Sequence, residues 1–284
     1  MLVAVFCFYL GDNRTKVASN QLVVTQVLLI RTMIGLLILS AVLFCKRKSI
    51  QLSVYTDIFL LLASVALFCT ILSFAISFNV SKDMTPIYVV SFLWPGFLIV
   101  FEWLIGGEAP RKSTAILTPV MYIGVILYFW TPLRSNFSSF ISLPMLPAYC
   151  TAIGYAAFLA LHARTRKDVS GLDKNFGIYS IVALAFLIIS VVQLIRDNDL
   201  PRFDEDLVFT LLFAGLASFA GLILLLYATA LGRAVEIAAL DFTVVIYAYI
   251  RDMYWDLSSF DPFELAGVIV ILAGAAAMTR LAKD

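Results

Sequence analysis

Charge is scarce in this chain. Asp, Glu, Lys and Arg supply 14% of its 284 residues, where a soluble domain carries about 25%. So little charge cannot cover a water-facing surface, and a soluble fold is excluded. Histidine is scarcer still, with His162 alone, which removes His-based metal sites and Ser-His-Asp chemistry. Cys7, Cys45, Cys69 and Cys150 are scattered through apolar stretches without C-x-x-C spacing. They read as small buried residues, and neither a disulfide framework nor a metal site is expected. The phosphate loop G-x-x-x-x-G-K-[ST] is missing, so an ATP-driven pump is not expected. No cofactor is called for. The net charge of +1 provides no bulk field for a nucleic-acid partner.

Apolar residues take the place of what is missing. They make up 62% of the chain, with a mean hydropathy of +0.98, and they are grouped into runs. Runs of about 20 apolar residues cross a bilayer as helices. Ten are read, over 1–18, 24–45, 58–79, 86–106, 114–131, 144–163, 175–195, 207–231, 235–257 and 263–281. The connections are short and polar, such as "SKDMT" and "GGEAPRKS", and leave no room for a soluble domain. The expected class is an all-α integral membrane protein embedded in a lipid bilayer. Met1 opens directly onto "LVAVFCFYL" with no basic stretch before it, unlike a signal peptide. Either span 1 continues through "GDNRTKVAS" or residues precede this start, and the first is preferred.

Basic residues orient the spans. With both termini inside, the inner side holds Lys46, Arg47, Lys48, Arg111, Lys112, Arg164, Arg166, Lys167, Lys174, Arg233, Arg280 and Lys283. The outer loops hold only Lys82, Arg134, Arg196 and Arg202. The bias predicts a multi-pass protein with N-in/C-in topology, and the short loops suggest a bacterial inner (plasma) membrane.

The chain repeats itself. The stretch from Asp57 overlays that from Asp206 without a gap, and Cys7-x-x-x-Gly11 overlays Cys150-x-x-x-Gly154. Residues 1–137 form the first five-helix repeat and 138–284 the second. Five crossings per half is odd, so the repeats are inverted in the membrane. Many secondary transporters have this architecture, with the solute site at mid-membrane between repeats.

Ten short-looped helices in two five-helix repeats resemble the drug/metabolite transporter superfamily, EamA type, over essentially the whole chain. Span 4 ends in "LIGGEAPRKS", similar to that family's Gly-Glu, and "PFELAGVIVILAGAAAM" resembles its closing small-residue helix. Lys16 and Arg31 fall where such proteins often carry a Lys and an Arg. "FLWP" at Phe92–Pro95 is similar to the "YLWP" of the aromatic amino-acid exporter branch. The second half departs from the pattern, with Val244 at the usual proline position and no Gly-Glu in "DMYWDLSSFD". The resemblance implies a secondary transporter and not an enzyme.

Charges inside spans are costly and usually functional. Asp12, Arg14, Lys16, Arg31, Arg251 and Asp252 fall in the outer half, and Glu102 and Asp241 in the inner half. If the cations share a cavity, it favours carboxylate- or phosphate-bearing solutes. Arg14 and Lys16 can instead snorkel to the surface, and Arg31 and Arg251 can form internal ion pairs. On span 4, Tyr88, Ser91, Pro95 and Glu102 share one helical face, with Trp94 beside them. On span 9, Asp241, Val245, Ala248, Asp252 and Trp255 form a matching stripe, and Tyr155 adds aromatic surface. The rings also fit lipid packing or an interfacial belt. Glu102 and Asp241 admit a proton-coupling role. Glu102 and Arg251 align in the repeats, but inversion sends them to opposite leaflets. The expected substrate-binding set is Lys16, Arg31, Tyr88, Ser91, Trp94, Pro95, Glu102, Tyr155, Asp241, Arg251 and Asp252.

The leading expectation is alternating-access export of amino acids or similar amphipathic metabolites. The alternative is exchange of anionic metabolites such as nucleotide sugars, sugar phosphates or nucleoside-derived solutes. A membrane enzyme would need clustered catalytic groups and a channel a repeated polar ring, and neither is visible. The small-residue face of span 10 suits helix packing or a homodimer contact, packing being preferred.

Overall fold

The computed structural model describes residues 2–47, 51–80, 84–91, 93–106, 112–135, 142–143, 145–166, 168–197, 203–231, 243–255 and 261–281. The described elements are helical. They are α1 (Leu2–Ala18), α2 (Val24–Cys45), α3 (Ile58–Val80), α4 (Thr85–Ser91), α5 (Trp94–Gly106) and α6 (Lys112–Tyr128). There follow α7 (Trp130–Ser135), α8 (Met145–His162), α9 (Gly171–Asp197), α10 (Glu205–Leu231), α11 (Thr243–Trp255) and α12 (Pro262–Leu281), with a 3-10 turn at Leu52–Thr56. These make the ten expected spans, with α4 and α5 composing span 4 and α6 and α7 span 5. Among the described residues, five spans suffice to cross a bilayer on length and apolar composition alone. Span 1 is diluted by Asp12, Arg14 and Lys16.

Aspartates start several helices. Asp57 Oδ1 accepts the Phe59 N–H at 3.0 Å, Asp204 Oδ1 that of Leu207 at 2.7 Å, and Asp261 Oδ1 that of Phe263 at 2.8 Å. Each satisfies an amide that has no partner within its helix. Asp57 Oδ2 also accepts the Arg166 N–H at 2.9 Å, so the segment after α8 is tied to the start of α3. Within spans, hydroxyls donate to the carbonyl four residues back, as from Thr32 to Leu28 at 2.6 Å and Ser64 to Leu60 at 2.7 Å. In this way an apolar helix holds a polar side chain without an outside partner.

The packing follows an internal two-fold. α1 packs on α10 as α8 packs on α3, and α2 meets α10 as α9 meets α3. The pairs α2–α9, α4–α11 and α6–α12 relate to themselves. The glycines show the same symmetry at atomic scale. A Cβ on Gly11 would meet Ser218 Oγ and the Ala214 carbonyl, and one on Gly154 would meet Thr70 Oγ1 and the Ala66 carbonyl. Ser218 donates to Ala214 O, and Thr70 to Ala66 O. Gly11 and Gly154 are therefore equivalent, as their sequence overlay indicates. The overlay begun at Asp57 slips by one residue here: it sets Thr70 against Phe219, whereas the contacts set it against Ser218. On the axis, Gly124 and Gly267 face one another, and a Cβ on either would strike the other's carbonyl. The small-residue face of α12 is thus spent on α6.

Large apolar side chains cover the outside, including Leu37, Phe44, Trp103, Leu104, Ile116 and Ile195. Such a surface suits lipid and not water.

Candidate functional site

Span 4 breaks where its sequence requires. Pro95 has no N–H to donate to the Ser91 carbonyl and its ring crowds the preceding turn. Leu93 accordingly stands in a turn between α4 and α5, and α5 starts at Trp94 with Pro95 in its first turn, where proline is tolerated. Gly96 N–H bonds to the Leu93 carbonyl at 3.1 Å, closing a tight turn across the break. Irregular backbone at membrane depth is tolerated beside a cavity, and one lies here.

That cavity measures about 210 Å³. α1, α2, α3 and span 4 of the first repeat line it, and α8 and α11 of the second, so it sits between the repeats. Its polar centre is one ion pair. Arg31 Nη1 donates to Asp12 Oδ1 at 2.8 Å and to Thr15 Oγ1 at 3.2 Å. The Tyr88 hydroxyl donates to Asp12 Oδ2 at 3.2 Å. The two charged side chains are 19% and 8% exposed, so both are largely desolvated and each depends on the other.

Around the pair the wall is aromatic. Tyr88 lies against Phe74 and Phe78, with ring centroids 5.4 and 5.6 Å apart. Trp94 meets Tyr155 edge-on at 5.3 Å. Tyr247 of α11 bridges Phe6 and Tyr9 of α1 at 5.3 and 6.0 Å, closing the seam between the repeats. Edge-on and tilted rings make firm walls while leaving ring faces for an apolar solute.

The expected site residues divide. Arg31, Tyr88, Ser91, Trp94 and Tyr155 line the cavity together. Pro95 is buried behind it and makes the break. Glu102 is exposed on α5 and does not join this lining. The shared face of Tyr88, Ser91 and Glu102 presumes one continuous helix, and Leu93 stands in a turn between Ser91 and Glu102. Lys16 and Arg251 are half-buried away from the lining. Arg14 is exposed, with its guanidinium 5.4 Å from the Phe213 ring centroid. Asp241 lies outside the described residues, and Asp252 is described only as part of α11. The expected cluster of outer cations is therefore not gathered at the cavity: among the described residues, Arg31 alone of the four lines it. Asp12, Thr15 and the α3 residues Thr70, Phe74 and Phe78 were absent from the expected set. Asp12 and Thr15 stand three apart on one face of α1, a spacing that could have flagged them.

Two inverted repeats enclosing a cavity around a buried ion pair define a multi-pass membrane transporter of small solutes. Residues 1–130 and 142–280 match the EamA-like transporter family. The chain belongs to that family, within the drug/metabolite transporter superfamily, and is a transporter and not an enzyme. No curated protein matches it significantly. Among solved structures, one titled only "Crystal structure of protein" shares the fold, with a TM-score of 0.63 at 13% identity. That match covers 100% of this chain and 98% of the other.

Proposed function

We propose that the protein is a secondary transporter that exports amino acids or similar amphipathic metabolites by alternating access. The observation that carries this reading is a cavity holding one cation and one anion within an aromatic wall. A solute with an ammonium, a carboxylate and an apolar side chain complements such a site in charge and surface. Exchange of anionic metabolites is supported less well. It was motivated by excess positive charge, and Arg31 is matched by Asp12 in the cavity. Similarity of "FLWP" to the aromatic amino-acid exporters agrees with the preferred reading. The excess of Lys and Arg in the loops on one side supports N-in/C-in insertion, and short loops support a bacterial inner membrane. With Gly267 and Gly274 of α12 packed against α6, a homodimer would use another surface.

Ligand-dependent melting of the purified protein tests the solute class, because a solute that binds the folded state stabilises it. Amino acids with large apolar side chains are expected to raise the melting temperature, with nucleotide sugars and sugar phosphates inactive. The reverse ranking would replace this reading with anion exchange.

A further inference from the structure

Two buried polar atoms at the cavity, Ser91 Oγ and Trp94 Nε1, have no hydrogen-bond partner among the described residues. Their residues are 6% and 3% exposed, and both line the cavity. Unpaired buried polar groups are rare and costly, so a pair of them at one place needs a reason. They stand on either side of the break in span 4, at the last residue of α4 and the first of α5. α5 is 13 residues long, and its N-terminal end carries partial positive charge. An indole N–H can only donate, and a serine hydroxyl can donate. Two donors beside a positive helix end match an anionic oxygen acceptor. Both atoms are shielded from solvent in residues that border the cavity.

The ion pair borders the same cavity. Tyr88, whose hydroxyl donates to Asp12, precedes Ser91 by three residues and shares its face of α4, and all three residues line the cavity. We propose that the broken turn of span 4 is the carboxylate subsite of the cavity, with Asp12 facing the ammonium. This assignment rests on the amino-acid reading and gives it an orientation. Tyr122 of α6 holds the subsite from behind. Its hydroxyl donates to the Leu93 carbonyl at 3.4 Å, and a Cβ on Gly96 would come within 1.8 Å of that hydroxyl. Tyr122 is a positioning residue, because it sets the turn that carries Ser91 and Trp94 without lining the cavity.

Calorimetric titration of the purified protein in nanodiscs with L-phenylalanine, phenethylamine and 3-phenylpropionate tests the proposal. The wild type is expected to bind phenylalanine about tenfold tighter than phenethylamine, the value of one charge-assisted bond. In the Ser91→Ala/Trp94→Phe variant that ratio falls to near one while phenethylamine affinity is kept, which also reports an intact fold. Tyr122→Phe lowers the ratio part of the way. A double variant that keeps the wild-type ratio, or loses amine and amino acid equally, overturns the subsite. If phenylalanine fails to bind the wild type, the amino-acid reading falls and 3-phenylpropionate decides the subsite. Its binding, lost in the double variant, upholds a carboxylate subsite, and its failure to bind overturns one.

Discussion

Arg31→Leu is expected to cost about 3–5 kcal/mol of stability and to abolish transport, because it strands a buried carboxylate. Asp12 would keep only the Tyr88 hydroxyl, 3.2 Å away, where the wild type adds a guanidinium at 2.8 Å. The loss comes mainly from the desolvated charge left behind, and less from the bond removed. A second substitution separates these terms. Asp12→Asn combined with Arg31→Leu removes both charges and is expected to regain most of the lost stability, since a buried pair is often replaceable by neutral groups. Transport should stay absent, because the ammonium of the solute has lost the Asp12 carboxylate. Thermal unfolding in detergent, with transport by reconstituted protein, measures the two effects. An Arg31→Leu variant as stable as wild type would show that the pair is solvated, contrary to its burial.

The second large effect concerns the axis of the inverted repeat. Gly267→Ala places a methyl group 2.5 Å from the Tyr128 backbone nitrogen and 2.6 Å from the Gly124 carbonyl oxygen. Both obstacles are main chain, so α6 and α12 must separate along their shared contact. Overpacking of this kind costs about 1–3 kcal/mol, and helix faces built on glycine have no softer neighbour to yield. Gly171→Ala is the matched control, with nothing within 4 Å of its Cβ position. It should melt at or slightly above the wild-type temperature. Equal melting of the two variants would mean that the α6–α12 contact is looser than the structure has it.

The spans could be read from the chain because lipid imposes one length and one composition on every crossing. The inverted duplication could be read because Gly11 and Gly154 do the same steric work in both halves. The break in span 4 was half legible. Pro95 announces a disturbance, but only the structure shows Leu93 in a turn between α4 and α5. Glu102 is exposed and off the cavity, and a helical wheel drawn through Leu93 assumes a regularity that the turn there does not keep. An internal ion pair for Arg31 was legible as an alternative, but its partner Asp12 was not. Both residues stood among the intramembrane charges, but who faces whom depends on how α1 and α2 are rotated about their axes. The α3 wall was hidden for another reason. Phe74 and Phe78 look the same in sequence whether a ring faces lipid or a cavity, and only the hydroxyl of Thr70 hints at the inner face.

Solute counterflow in proteoliposomes tests the central claim most directly, namely that one charge-neutral aromatic cavity carries a zwitterionic solute by alternating access. Vesicles preloaded with unlabelled phenylalanine should accumulate labelled phenylalanine transiently and saturably, and Asp12→Asn should not. Trans-stimulation by phosphate-bearing solutes alone, or flux that does not saturate, would contradict the account.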